Sequence, residues 1–315
     1  MTQPRTTPAE AAAVAARQVP AGDRFVVDHL AHWVPDEPAA SARLAALGFT
    51  MAPFSHQVTR AAPDAPPVSA GTANRTIMLR RGYIEILTTT GDTPNARTLR
   101  AGMARYVGVH LIAFGLADPD AAAARLQASG FAPLPVVRLE REIETESGAP
   151  GHVRFRVLRV APEAMPEGRV QFCTHLTPEN MWQGRWLDHA NGATGLGSIL
   201  IASPDPDEAA ERFGRFTGRA AVHRDDGAWM LAFDRGSIVL ADQEHAQRML
   251  GAPIPALPCM AAYALSVADP AATRTHFASH RIAVTDMGSA MMVDAGPALG
   301  GQIAFIPEGA KAPWE

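Results

Sequence analysis

The chain has 315 residues, 47% of them hydrophobic and 19% charged, a balance that excludes an intrinsically disordered chain and suits one large core or two ordinary domains. Its 28 basic and 32 acidic residues give a net charge of −4, and no basic run or basic–aromatic stripe is present, so nucleic acid is not an expected partner. No apolar stretch reaches the roughly 18 residues of a membrane span, and two cysteines, Cys173 and Cys259, do not make a disulfide scaffold.

Residues 1–22 read as a helical or frayed arm. Residues 8–17 carry alanines but few of the large apolar side chains of a signal sequence, and no basic segment precedes them. The expectation is a cytoplasmic protein that binds no membrane. From Phe25 onward four segments share one grammar: a short apolar strand, an Asp/Pro turn, an Ala-rich amphipathic helix, then further strands. They run from Phe25 to Phe49, from Val107 to Phe131, from Leu196, and from Met260. The Asp/Pro turn stops the strand and sets a carboxylate at the helix N-terminus, where the macrodipole favours it. Gly48 and Gly130 follow the first two helices as terminating residues.

Each unit closes with strands. RTIMLRRGYIEILT holds two strands joined at Arg81-Gly82; HVRFRVLRV and GRVQFCTHL flank a loop with Pro162 and Pro166; GAWMLAFDRGSIVLAD is a hairpin around Asp234-Arg235-Gly236; SAMMVDAGPALGGQIAFIP repeats the pattern. Two stretches stand outside it: the Pro-rich segment 55–71, where His56 is expected to face solvent, and the segment 177–195. The reading is an α+β protein with an arm (1–22), a first domain (23–176), a linker (177–195) and a second domain (196–315).

A first strand carrying a His, a following helix, the GTANR stretch (Gly71 to Arg75) and a strand reading GYIEIL resemble the vicinal oxygen chelate superfamily, and its glyoxalase-like branch in particular. That resemblance implies four βαβββ modules pairing into two half-open barrels, with metal ligands from the first and last strands of each module. Carried over residue by residue, it assigns His29, Glu85, His110 and Gln171 to the first domain. In the second domain the matching positions fall on about Ser198, Val239, Ala261 or Ala262, and Ala304, so this copy is expected to be metal-free. The resemblance thus implies a divalent ion (Zn, Mn, Ni, Co or Fe(II)) in the first domain only. Without Gln171, two imidazoles and a carboxylate would suit Fe(II) and ring-cleaving oxygenation; with it, the set is nearer to lyase or isomerase chemistry on an oxygen-rich carbonyl, enediol or catechol-like substrate. The alternative is a metal-free binding protein of the drug-sequestering kind, in which His29 and Glu85 only hydrogen-bond inside the barrel.

Other candidates are weighed on chemistry. His175 shares a strand face with Gln171 and Cys173 and is a rival ligand or pocket-wall residue. The stretch Thr174 to Ala193 holds His175, Glu179, Trp182, Trp186 and His189. It reads either as a lid with Glu179 or His189 as proton carriers and Trp182 and Trp186 as walls, or as a linker sealed by its tryptophans. Arg154 and Arg156 share one strand face and grip an anionic substrate if that face points inward. Cys173 has no basic neighbour in sequence to lower its pKa and is not read as a nucleophile. The expected partners are a small-molecule substrate and a second copy of the chain in a homodimer.

Overall fold

The structure, a computed structural model, describes residues 5–59 and 66–315. Helix α1 (Pro8–Ala15) starts with a capping box between Thr7 and Glu10 and buries Ala11, Val14 and Ala15 in a cluster with Trp182 and Leu187, so the arm is docked. Then come β1 (Val26–Trp33), α2 (Glu37–Ala46), β2 (Ser55–Thr59), β3 (Val68–Met78), β4 (Tyr83–Thr89) and α3 (Pro94–Arg105). The order repeats in β5 (Gly108–Gly115), α4 (Pro119–Ala128), β6 (Val137–Glu144), β7 (Pro150–Arg159), β8 (Arg169–His175) and the short α5 (Pro178–Met181). It repeats again in β9 (Ala193–Ala202), α6 (Pro206–Thr217), β10 (Val222–His223), β11 (Trp229–Ala232), β12 (Ser237–Ala241) and α7 (Gln243–Leu250). The last repeat is β13 (Cys259–Val267), α8 (Pro270–Ser279), β14 (Thr285–Met287), β15 (Ala290–Asp294) and β16 (Gln302–Pro307).

The Asp/Pro turns act as the sequence implies. Asp36, Asp118, Asp205 and Asp269 each cap the next helix by accepting a backbone N–H. Helices α3 and α7 lie outside the repeat read from the sequence. Strands β2 and β3 take up parts of segment 55–71, whose residues 60–65 lie outside the described residues, and His56 is exposed. Strand β9 begins at Ala193, inside the segment read as a linker.

In each repeat the first strand pairs in parallel with the last: β1 with β4, β5 with β8, β9 with β12, β13 with β16. A glycine before each last strand lets it close in. A Cβ on Gly82 would lie 2.5 Å from the Asp28 carbonyl, one on Gly168 2.5 Å from that of His110, and one on Gly236 2.7 Å from that of Gly197. The repeats pair through antiparallel first strands, β1 with β5 and β9 with β13.

Side-chain alternation splits the strands into two faces. One face of each half (Leu30, Ile84, Ile112 and Phe172; Ile199, Leu240, Leu265 and Phe305) joins a single core shared by both halves. The other face of the second half is filled by Leu200, Val239, Ala304, Leu250 of α7 and Trp314. There Ser198 accepts from the Trp314 indole at 2.9 Å and pairs with Ser237 at 2.8 Å. The other face of the first half, with Ala31, Leu87, Leu111 and Val157, opens on a cavity.

Three core histidines predict acid lability. His32 lies between the Leu299 carbonyl (2.9 Å) and the Tyr263 hydroxyl (3.1 Å). His189 accepts from the Thr50 N–H (3.1 Å) and donates to the Met78 carbonyl (2.9 Å). His110 donates to the Tyr106 carbonyl (2.8 Å). Burial pulls each pKa down to about 4. The unfolded chain takes up these protons near its ordinary value of about 6.5, so the stability they contribute is full above that pH and is lost as pH falls toward 4. Between those limits the loss approaches ~4 kcal/mol per pH unit for the three together. Urea unfolding at pH 7 and pH 5 checks it: equal free energies would contradict neutral burial.

Candidate functional site

The cavity of about 480 Å³ lies wholly in the first half, lined by β1 (His29), β3 (Asn74, Thr76), β4 (Tyr83, Glu85, Leu87), β5 (Leu111), β6 (Leu139, Arg141), β7 (Phe155, Val157, Arg159) and β8 (Arg169, Gln171, Cys173). Apart from Glu140 of β6, every lining residue on β4 to β8 has an odd number, as expected when alternate side chains of a strand face one side.

His29 lies opposite Tyr83 across the β1–β4 pair and stacks on its ring at 4.3 Å. Its Nδ1 donates to the Asp28 carboxylate at 2.6 Å, which fixes the tautomer and leaves Nε2 toward the cavity. Among the described residues nothing bonds that nitrogen. Asp28 also accepts from His175 Nε2 at 3.0 and 3.1 Å and is fully buried. Burial alone would raise its pKa, but His175 and His29 outweigh it and hold the carboxyl well below its usual range. His175 is enclosed by Phe155, Tyr83 and Trp182 rings, outside the cavity lining. Glu85 accepts from the Asn74 amide, which leaves Asn74 Oδ1 as a buried acceptor with no partner.

Three guanidiniums complete the lining. Arg159 donates to Gln171 Oε1 at 2.9 Å. Arg169 donates to Asn95 Oδ1 at 2.9 Å and lies over Trp33 at 5.4 Å. Arg141 meets the sulfur of Met181 at 4.0 Å. Burial lowers all three pKa values, that of Arg169 to about 10 with Arg159 adding to the effect, yet all remain charged at neutral pH.

The structure brings His29, Glu85 and Gln171 to this cavity and places His110 elsewhere. Register explains why. Leu111 pairs across β8 with Arg169, as His29 pairs with Tyr83 across β4, so Leu111 and not His110 matches His29. His110 matches Asp28, both lying where the β1–β5 pairing shifts; its ring is sandwiched between Trp33 (4.9 Å) and Tyr106 (3.9 Å). One residue of slip separates the two strand faces.

The other sequence candidates also have definite places. Arg154 and Arg156 face away from the cavity and pair with Glu140 (2.5 Å) and Asp120 (2.6 Å). Glu179 is exposed on α5. Trp182 is buried and donates to the Leu79 carbonyl at 2.9 Å. Trp186 is half-buried and lines a separate groove with Phe54 and Arg185. Sequence reasoning missed Asp28, Asn74, Arg141, Arg159 and Arg169. The Asp28-His29 dipeptide was the one visible signal, since a carboxylate beside a histidine commonly orients it.

Asp28, His29 and Cys173 form a possible metal-binding group, with one ligand atom of each within 4.8 Å of the others. The chemistry of these donors is less favourable than their spacing. The Asp28 carboxylate is occupied by two imidazoles, and burial pushes the Cys173 thiol well above its usual pKa, whereas a metal needs the thiolate. Of the four positions that the resemblance implied, two carry strong ligands, His29 and Glu85; the others carry Leu111 and an amide engaged by Arg159. As arranged, these residues do not fit a divalent ion held by three or four protein ligands.

Paired repeats around such a cavity, with first and last strands parallel, define the vicinal oxygen chelate fold. Within it, residues 27–217 match the family of the glyoxalase-like domain, and the chain belongs to that family. Among solved structures, it is similar to a hypothetical protein from Staphylococcus aureus (TM-score 0.60, 12% identity, 90% of this chain and 99% of that one). It is also similar to a triple mutant of 4-hydroxymandelate synthase from Streptomyces coelicolor (TM-score 0.55, 12% identity, 92% and 95%). A third is a fusion of a xylose isomerase-like TIM barrel with 4-hydroxyphenylpyruvate dioxygenase (TM-score 0.50, 13% identity), of which this chain covers 50%. At these identities the likeness is one of fold. No curated protein matches by sequence, and no helix among the described residues is long and apolar enough to cross a membrane.

Proposed function

We propose that this chain is a glyoxalase-like enzyme that moves a proton on a small oxygen-rich molecule bound in the first-half cavity, with His29 as the group that takes and returns it. The observation that carries this reading is the 2.6 Å bond from His29 Nδ1 to buried Asp28, which leaves the Nε2 lone pair toward the cavity. A base oriented by a carboxylate suits abstraction of a proton next to a carbonyl. Glu85, held by Asn74, supplies a second carboxylate, and Asn74 Oδ1 accepts from a substrate hydroxyl. His175 touches only Asp28 and the surrounding rings, which makes it a positioning residue. This reading favours isomerase or lyase chemistry over ring-cleaving oxygenation, which calls for an iron-ligand set that β5 does not supply.

Deuterium exchange in heavy water, followed by NMR over a panel of hydroxy and oxo acids, tests it. At least one compound is expected to exchange at the carbon next to its carbonyl. His29→Gln is expected to lose about 10²–10⁴ of that rate, measured where the variant is still folded. Metal analysis of the purified protein runs alongside: one tightly held divalent ion per chain would overturn the metal-independent form of the proposal. A second reading, a binding protein without turnover, rests on the three cavity arginines, which retain a ligand equally well without chemistry. It would be favoured by ligand binding with no exchange anywhere in the panel.

A further inference from the structure

Among its described lining residues, the cavity carries more positive charge than its inward-facing carboxylates answer. Arg141, Arg159 and Arg169 line it, and none makes an ion pair with a described carboxylate within 4.0 Å. Their side-chain partners are a thioether, an amide oxygen and a second amide oxygen. Two carboxylates belong to the same lining. Glu85 faces inward beside Asn74, and Glu140 meets Arg154 on the outer face. Among the described lining residues, three guanidiniums therefore face one inward carboxylate, since Glu140 is engaged by Arg154.

These three arginines are half-buried in the cavity wall. Burial lowers the pKa of each, and Arg169 additionally feels Arg159. Gathering like charges in such a place is costly unless an anion completes it. Guanidinium forks match carboxylate and phosphate oxygens with paired N–H donors. The N-terminus of α3, capped by Thr93, reaches the same lining through Pro94 and Asn95 and adds its dipole in the same sense. Leu111, Leu139, Phe155 and Val157 supply an apolar wall.

We infer that the first-half cavity is a binding site for a small organic dianion, with Arg141, Arg159 and Arg169 holding its carboxylate or phosphate oxygens and the apolar wall holding its carbon body. The inference deepens the function proposed above by naming its substrate class, and rests on that reading only for what happens after binding. It also assigns Glu85 a sign: its carboxylate opposes the ligand's charge. Under a metal-ligand role for Glu85, removing that carboxylate would weaken binding; here it strengthens it.

Titration calorimetry and thermal shift on the full chain, with succinate, inorganic phosphate and neutral succinamide as probes, test this directly. Succinate or phosphate is expected to bind and raise the melting temperature, and succinamide to do neither. Arg159→Gln is expected to weaken dianion binding about 10- to 100-fold. Arg156→Gln, on the outer face of the same strand, is expected to leave it unchanged. Glu85→Gln is expected to tighten it about 5- to 10-fold. Binding of succinate alone assigns the site to carboxylates, and binding of phosphate alone assigns it to phosphates. The inference is overturned if neither dianion binds, if succinamide binds equally well, if Arg156→Gln does the same harm as Arg159→Gln, or if Glu85→Gln weakens binding. Dianion binding without proton exchange leaves this site standing and removes the catalytic reading; exchange on neutral carbonyl compounds without dianion binding does the reverse.

Discussion

Asp28→Asn is expected to cut proton transfer by about 10³–10⁴ and to cost about 3–5 kcal/mol of stability. The rate loss follows from tautomer control. Asp28 presents only acceptor oxygens, so His29 keeps its proton on Nδ1 at 2.6 Å and presents Nε2 as a base. An asparagine of the same shape turns an N–H₂ toward one of its two histidine partners. Where it faces His29, Nδ1 becomes the acceptor and the proton moves to Nε2, on the cavity side. Removing the orienting carboxylate of such a pair in this way costs a rate factor on the order of 10⁴. The stability loss follows from burial: Asp28 is fully buried and accepts from both His29 and His175, and an asparagine loses both bonds to an ionised acceptor and turns an N–H₂ against one of the two imidazoles. The two effects separate experimentally. Urea unfolding reports the second. The first is the exchange rate measured where the variant is still folded, with succinate binding as proof that the arginines remain in place. An exchange rate within tenfold of the parent protein would sink the dyad as the catalytic device.

Much of this arrangement is written in the sequence, and what is not has a physical reason. The repeat was legible because each unit combines an apolar strand with a cap of fixed chemistry, and the four Asp caps sit where the pattern puts them. Taken from the family resemblance position by position, His29, Glu85 and Gln171 do line the cavity. His110 does not, although the caps hold the information needed. Asp36 lies eight positions after Asp28, and Asp118 eight positions after His110, so counting back from the caps pairs His110 with Asp28 and Leu111 with His29. An apolar Leu attracts less attention than a neighbouring His, and a strand reverses its facing at every step. The arginines show the same limit differently. Arg154, Arg156 and Arg159 all lie on β7, and only strand parity against β8 separates the outward pair from the inward one. Sequence alone fixes that two of them share a face and leaves open which face is inside. The filling of the second-half face by Trp314 and α7 was also hidden, because it depends on where distant segments dock.

The pairing of the two halves makes the second large effect. Glu167, just before β8, is fully buried and receives both nitrogens of the Arg212 fork from α6 at 2.8 Å each. Arg212 is itself buried and is also held by Glu208 one turn earlier on the same helix. Burial works against its charge, but the two carboxylates outweigh that and raise its pKa. Because Glu167 belongs to the first half and Arg212 to the second, this bond joins them beside the shared core. Arg212→Met is expected to cost about 3–5 kcal/mol, since it strands a carboxylate in a place without water. Glu208 adds little to that loss because its side chain is half-exposed and can turn to solvent. A double variant, Arg212→Met with Glu167→Leu, is expected to recover most of the loss, since apolar groups of similar volume replace a buried ion pair at little net cost. Chemical denaturation of the two single variants and the double completes the cycle. If the double variant is no more stable than Arg212→Met alone, the contribution of Arg212 lies in its packing and its bond to Glu208, and Glu167 is not what it neutralises.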